Sequence, residues 1–217
     1  MMEISLETLF EKQKQLDDYI IKKKGLDTLP KQTLLNNSVL ALQVEICELA
    51  NKWRGFKHWS EKRVPKHGYE ALIDCDKCDG RGFWFDGPRV LCEKCNHSGK
   101  ITNPLLEEYV DCLHFFLSIS RQLGLSTDDL YAWEDQLEGE TTILFTELLI
   151  NVGRINGDQI FANIPKDVFQ HRREHFKASL YIFYNLGEQR LGISYEDMVQ
   201  AYLDKWQINI QRQESGY

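Results

Sequence analysis

The sequence predicts an all-α fold, a helical bundle interrupted once by a small cysteine-rich hairpin. Three observations predict it. First, two long segments place apolar residues at alternating intervals of four and three. These are Leu35, Val39, Leu42, Ile46, Leu49 and Trp53 in one, and Leu105, Tyr109, Cys112, Phe116, Ile119 and Leu123 in the other. Such spacing draws a single stripe down an α-helix. Second, helix start and stop signals punctuate nearly the whole chain. Third, the one stretch without a helical period, residues 56–103, holds four of the six cysteines, five of the 14 glycines and two of the five prolines. At 217 residues, with 42% hydrophobic and 27% charged, the chain can bury a core and is unlike a disordered one.

The elements follow in order. The first helix starts at Ser5 as N-cap and stops at Lys22-Lys23-Lys24-Gly25. Lysines in a last turn with glycine beyond are a stop signal, which accounts for the basic run without a nucleic-acid role. The second helix begins after Pro30 and ends at Gly55. Asn103-Pro104 supplies an N-cap and a first-position proline for the next helix. A short helix starts at Ser126-Thr127, another covers about 139–156, and a longer one runs from Pro165 to about Arg190, with Gly192 beyond. The last opens on the Ser194–Asp197 cap signal and continues to about Arg212. Only Phe83–Val90 alternates with period two.

A net charge of −7 lacks the footprint of a general nucleic-acid binder, and none is expected as a partner. No apolar run approaches the roughly 18–20 residues of a membrane span. The first residues, MMEISLETLFEKQKQLDD, are polar and predict no signal peptide. The cysteines do not form a secreted disulfide framework, so a cytoplasmic location is expected.

Two acidic pairs carry chemistry. Glu45 and Glu48 are three apart on the second helix, and Glu108 and Asp111 are three apart on the helix after the interruption. Each acid precedes a stripe residue, so both pairs flank the buried face at the same angle. If the helices pack together, four carboxylates converge, and such a cluster repels itself unless protons or cations neutralise it. Hard oxygen donors of this kind suit Mg²⁺. Ordinary surface acids show the same spacing.

Cys75-x2-Cys78, then 13 residues, then Cys92-x2-Cys95 is the spacing of a four-thiolate zinc site, with disulfides or a redox pair as the other readings. Four cysteines leave no open coordination position, which points to one structural zinc per chain. His97 is a less suitable substitute ligand. Cys75-Asp-Lys-Cys78-Asp-Gly80-Arg-Gly82 resembles the knuckle of the DnaJ-type zinc domains. From Asp74 to Lys100 five acids balance five bases, so the ribbon lacks the excess of cations that phosphate binding needs.

The segment from Gln43 through Glu45, Glu48 and Asn51 to Trp53-Arg-Gly-Phe56-Lys57-His-Trp59 resembles the first motif of the dimeric dUTPases. Leu106-Glu-Glu108-Tyr-Val-Asp111-Cys-Leu-His114 resembles their second. The tail, Lys205-Trp-Gln-Ile-Asn209-Ile-Gln-Arg212-Gln-Glu-Ser-Gly216-Tyr217, is similar to their ending. Together these motifs resemble the signature of the all-α nucleoside triphosphate pyrophosphohydrolases, the superfamily that includes the MazG-like enzymes.

The resemblance implies a homodimer that hydrolyses dUTP to dUMP and pyrophosphate, protecting the nucleotide pool and supplying the dTMP precursor. It implies two or more Mg²⁺ on Glu45, Glu48, Glu108 and Asp111, with Glu45 or Glu48 also orienting or deprotonating the attacking water. His114 would help hold the deoxynucleoside, although a satisfied semi-buried histidine has the same signature. Gln13 and Asp17 resemble positions that read the uracil edge. Phe56 and Trp59 stand where aromatics lie near base and sugar, with core packing as the alternative, and Lys57 would reach a phosphate. Lys205, Asn209 and Arg212 share one stripe of the last helix and suit phosphate oxygens. Where the relatives keep the two acidic motifs close, a zinc insertion at about 72–101 separates them here, within a domain spanning 1–217. A related pyrophosphohydrolase with another or broader nucleotide preference is the nearest alternative. A zinc-ribbon interaction module on an inactive helical scaffold is the remote one. His171-Arg-Arg-Glu174-His175 imitates a zinc-peptidase motif, but only 42 residues follow it to supply a third ligand.

Overall fold

The computed structural model describes residues 5–133, 136–157 and 167–216. Among the described residues six α-helices carry the fold: α1 (Leu6–Lys24), α2 (Lys31–Trp53), α3 (Pro104–Leu123), α4 (Thr141–Arg154), α5 (Val168–Leu191) and α6 (Tyr195–Glu214). Short 3₁₀ turns follow α1 and α3, at Leu26–Thr28 and Thr127–Leu130. Four three-residue strands lie between α2 and α3: β1 (Leu72–Asp74), β2 (Phe83–Phe85), β3 (Arg89–Leu91) and β4 (Lys100–Thr102). Among the described residues no helix is long and apolar enough to cross a membrane.

The caps stand where their chemistry demands. Gly25 ends α1 in the left-handed conformation, φ 65°. Asn103 caps α3 by accepting from the Leu105 amide, and its own amide ties the chain before β1 by donating to Glu70 O at 2.6 Å. Ser194 caps α6 by accepting from the Asp197 amide. Helix α2 ends two residues before the expected Gly55. Arg54 takes the left-handed cap position instead, and Gly55 serves a different need. A Cβ on Gly55 would come within 2.2 Å of the Trp53 ring. Helix α4 is shorter than the expected 139–156, and α6 runs two residues beyond Arg212. The expected start of α5 at Pro165 lies outside the described residues. The anticipated alternation at Phe83–Val90 is a tight hairpin of β2 and β3, with Trp84 paired to Val90.

Helices α2 and α3 form the centre. Gln122 Nε2 donates to Ser38 Oγ at one end of the pair, and Lys52 meets Glu108 at the other, so the helices run antiparallel. Their facing stripes, Leu35–Leu49 and Leu105–Ile119, are fully buried. Helix α5 covers α3 through Tyr109, stacked on Phe183 at 4.2 Å. Helix α4 packs on α2 through Phe145 against Trp53. Helix α6 docks on α1, where Trp206 Nε1 donates to Lys12 O. Gly187 permits the close approach of α5 to α3, because a Cβ there would meet three atoms of the Tyr109 phenol at 2.4–2.6 Å. Replacing Gly187 by alanine should destabilise the fold by about 1–2 kcal/mol, because overpacking outweighs the roughly 1 kcal/mol that alanine gains in a helix. Thermal melting checks this, and an unchanged midpoint contradicts the packing described.

Candidate active site

The antiparallel pairing of α2 with α3 brings the acidic pairs together. Glu45, Glu48 and Glu108 each offer a carboxylate oxygen within 4.8 Å of the others. Asp111 adjoins them but turns to α6, accepting from Lys205 Nζ at 2.7 Å. On the opposite flank Lys52 Nζ sits 3.3 Å from Glu108. Burial pushes the Glu45 carboxyl up to about 7, assisted by the charges of Asp111, Glu48 and Glu108. Burial also raises Glu108, against the pull of Lys52. These are marks of partly buried carboxyls, with neighbouring like charge adding to the burial. The donor set is all carboxylate, which fits a hard divalent cation such as Mg²⁺.

One helical turn along α3, His114 enters a buried network. Its Nδ1 lies 2.8 Å from Gln13 Oε1, which also accepts from the Tyr202 hydroxyl at 2.9 Å. Gln13 Nε2 donates to Asp17 at 2.7 Å. Arg121 holds Asp17 and reaches Asp18 at 2.9 Å. The His114 ring stacks on Tyr202 with centroids 4.2 Å apart. Burial keeps His114 neutral, with its pKa pushed down to about 3. Past this network, between α1, α2 and α3, opens a cleft of about 600 Å³. Its walls are mainly apolar, including Ile20, Ile21, Leu34 and Phe115, with Asp17 and Arg121 among the polar groups.

The remaining candidates are spread around this axis. Phe56 and Trp59 follow α2 on an exposed turn, edge to face at 5.8 Å, and are not in the core. Lys57 bonds Asn51 on the last turns of α2. Lys205 is half-buried against Asp111, Asn209 is half-buried further along α6, and Arg212 is exposed near its end. Lys52, Arg121 and Tyr202 were not singled out from sequence. Lys52 lies four residues after Glu48, so helical spacing contained a signal for it. In the imitation peptidase motif, His175 reaches across to Asn151 on α4 and Glu174 accepts from Gln170 one turn earlier on α5, one a contact between packed helices and the other within a helix.

The four cysteines form a second, separate cluster. Their sulfurs all lie within 4.8 Å of one another, with Cys75–Cys92 at 3.8 Å and Cys78–Cys95 at 3.7 Å. Four thiolates about 2.3 Å from one tetrahedral zinc stand about 3.8 Å apart, whereas a disulfide needs about 2.05 Å. All six cysteines are free thiols. Two knuckles repeat the same device. Gly82 N–H donates to Cys78 Sγ and Gly99 N–H to Cys95 Sγ, both at 3.2 Å. Both glycines have positive φ, and a Cβ on either would strike a backbone oxygen, at 2.2 Å and 2.1 Å respectively. His97 is exposed in a left-handed turn conformation, in the place of the second knuckle that Gly80 takes in the first. The donor set fits zinc.

An all-α bundle with carboxylates converging from two antiparallel helices is consistent with the nucleoside triphosphate pyrophosphohydrolase class. A family model described as dUTPase matches residues 5–75 and 95–217, and the chain belongs to that family. The chain is therefore a nucleotide pyrophosphohydrolase of the dUTP diphosphatase kind. The unmatched stretch between the two segments lies inside the strand-bearing interruption and includes Cys78 and Cys92. A comparison with curated proteins found no match.

Proposed function

We propose that the protein hydrolyses dUTP to dUMP and pyrophosphate and requires Mg²⁺ to do so. The observation that carries this reading is the convergence of Glu45, Glu48 and Glu108 beside Asp111. Bound by these four carboxylates, Mg²⁺ would neutralise triphosphate oxygens and make phosphorus more open to attack by water. Glu45 or Glu48 orients the water and takes its proton on a carboxylate oxygen. The water oxygen forms the new bond to phosphorus, and the P–O bond joining the dUMP and pyrophosphate moieties breaks. Lys57, Lys205, Asn209 and Arg212 serve the phosphate chain. Lys205 already sits at the edge of the acid cluster, where that chain would lie.

The nucleoside end extends along α3. Seven residues from Asp111 to Ser118 rise about 10 Å, enough to separate a phosphate site from a base site. His114, Gln13 and Asp17 lie between, facing sugar and base, and the mainly apolar cleft beyond receives the pyrimidine. Phe56 and Trp59 form an exposed aromatic rim just beyond the end of α2, open to the base and sugar. Zinc on Cys75, Cys78, Cys92 and Cys95 holds residues 72–101 as an insertion in the 1–217 domain, one ion per chain, with a structural role. The free thiols suit a reducing cytoplasm. A homodimer is the working assembly, and the exposed Leu40 and Val44 on one face of α2 offer apolar surface for it.

Product analysis tests the reading. Incubation with dUTP and Mg²⁺ should yield dUMP and pyrophosphate in equal amounts, and chelation of Mg²⁺ should abolish both. Release of dUDP and inorganic phosphate, or full activity after chelation, would overturn it.

A further inference from the structure

The Arg121–Asp17–Gln13–His114 chain does more than fill space. A glutamine amide has two orientations of nearly equal shape but opposite hydrogen-bond polarity. Here Gln13 is buried, and its Nε2 faces the Asp17 carboxylate, which as an anion can only accept. That choice turns Oε1 toward Tyr202 and His114, so His114 Nδ1 must donate and carry the proton. A neutral imidazole protonated on Nδ1 leaves a lone pair on Nε2. His114 Nε2 is buried and has no hydrogen-bond partner among the described residues. A buried acceptor without a donor is costly in the free protein and calls for a ligand that donates.

We propose that Arg121 is a positioning residue that fixes the polarity of the nucleoside site. By holding Asp17 as an acceptor it locks Gln13, and through Gln13 it keeps His114 Nε2 as an acceptor for a hydroxyl or N–H donor of the nucleotide. The inference rests on reading this network as the sugar and base end of the dUTP site. The Arg121 side chain suits this role, because its guanidinium spans Asp17 and Asp18 and lines the cleft as well. Burial alone pulls Asp17 toward its protonated form, and Arg121 opposes that pull. Without the arginine that opposition is lost, and a carboxyl that takes up a proton can donate to Gln13 Oε1 and permits the amide to turn over. His114 would then become protonated on Nε2 and present a donor where the nucleotide also presents one.

The test is nitrogen-resolved NMR of the histidine rings in the full-length, ligand-free protein, with no turnover required. The wild type should show His114 protonated on Nδ1. Arg121→Gln should move the proton to Nε2 in at least about half the molecules, whereas Arg121→Lys, which keeps the charge, should retain the wild-type tautomer. Kinetics should show a KM for dUTP raised about 10-fold in Arg121→Gln with kcat within about threefold, because the acid cluster is untouched. If Arg121→Gln does not fold, Asp17→Asn carries the test, since it removes the obligate acceptor and should shift the tautomer likewise. A wild-type His114 protonated on Nε2, or an unchanged tautomer in the folded Arg121→Gln or Asp17→Asn protein, overturns the inference. Absence of dUTP turnover in the wild type would instead overturn the functional reading while leaving the tautomer result to stand by itself.

Discussion

Glu48→Gln should lower the turnover number by about 100-fold or more, the range expected when a base or charge-bearing ligand is lost at a reacting phosphate. Glutamine preserves the shape of the side chain and removes its charge. Glu48 is exposed and flanks the core, so the fold should survive the change. The free protein should even be slightly more stable, because the Glu48 charge is among those that raise Glu45 and Glu108. Steady-state kinetics with a thermal melt on the same sample measure both effects. Retention of more than about a tenth of the wild-type rate, a barrier change below about 1.4 kcal/mol, would remove Glu48 from the mechanism.

Cys78→Ser should cost the chain its zinc and unfold the insertion while the bundle stays helical. Binding free energies of about 10–16 kcal/mol for structural zinc far exceed what four three-residue strands contribute unaided. The buried residues of the insertion's own cluster are the four cysteines, with only Trp84 and Ile101 packed against them. The bundle has an independent core on α1–α6, so loss of the metal should leave the helical circular dichroism nearly unchanged. Metal analysis of protein purified without added zinc should find one equivalent per chain in the wild type and little in the variant. Wild-type protein free of zinc, with four titratable thiols, would contradict the reading of the cluster.

Much of this architecture was legible because helices write themselves locally. The 4-3-4-3 stripes, the Asn103 and Ser194 caps and the Gly25 and Gly192 stops each depend on neighbours within a turn or two. The acid cluster was legible for a related reason: two local pairs set at equal angles to two buried stripes meet once the stripes pack. The zinc knuckles repeat one local device around Cys75 and Cys92. What escaped was what only distant partners decide. Lys205 joins Asp111 across 94 positions, and Arg121 joins Asp17 across 104. Tyr202 reaches Gln13 across 189. No periodicity in either partner announces such a pair. The end of α2 escaped for a subtler reason: Gly55 looked like a helix stop, but close approach of the Trp53 ring, not chain reversal, explains the glycine.

Selective cleavage of dUTP is the activity proposed for this bundle. Pyrophosphate release from dUTP, dCTP, dTTP and UTP, measured side by side with Mg²⁺ at equal concentrations, tests it most directly. Release from dUTP should be rapid, with the other three slower by about 100-fold or more, as a site that pairs buried polar groups with one ligand requires. Equal rates on all four nucleotides would contradict the dUTP assignment and favour a broad pyrophosphohydrolase, and no release from any of them would leave an inactive helical scaffold carrying a zinc ribbon.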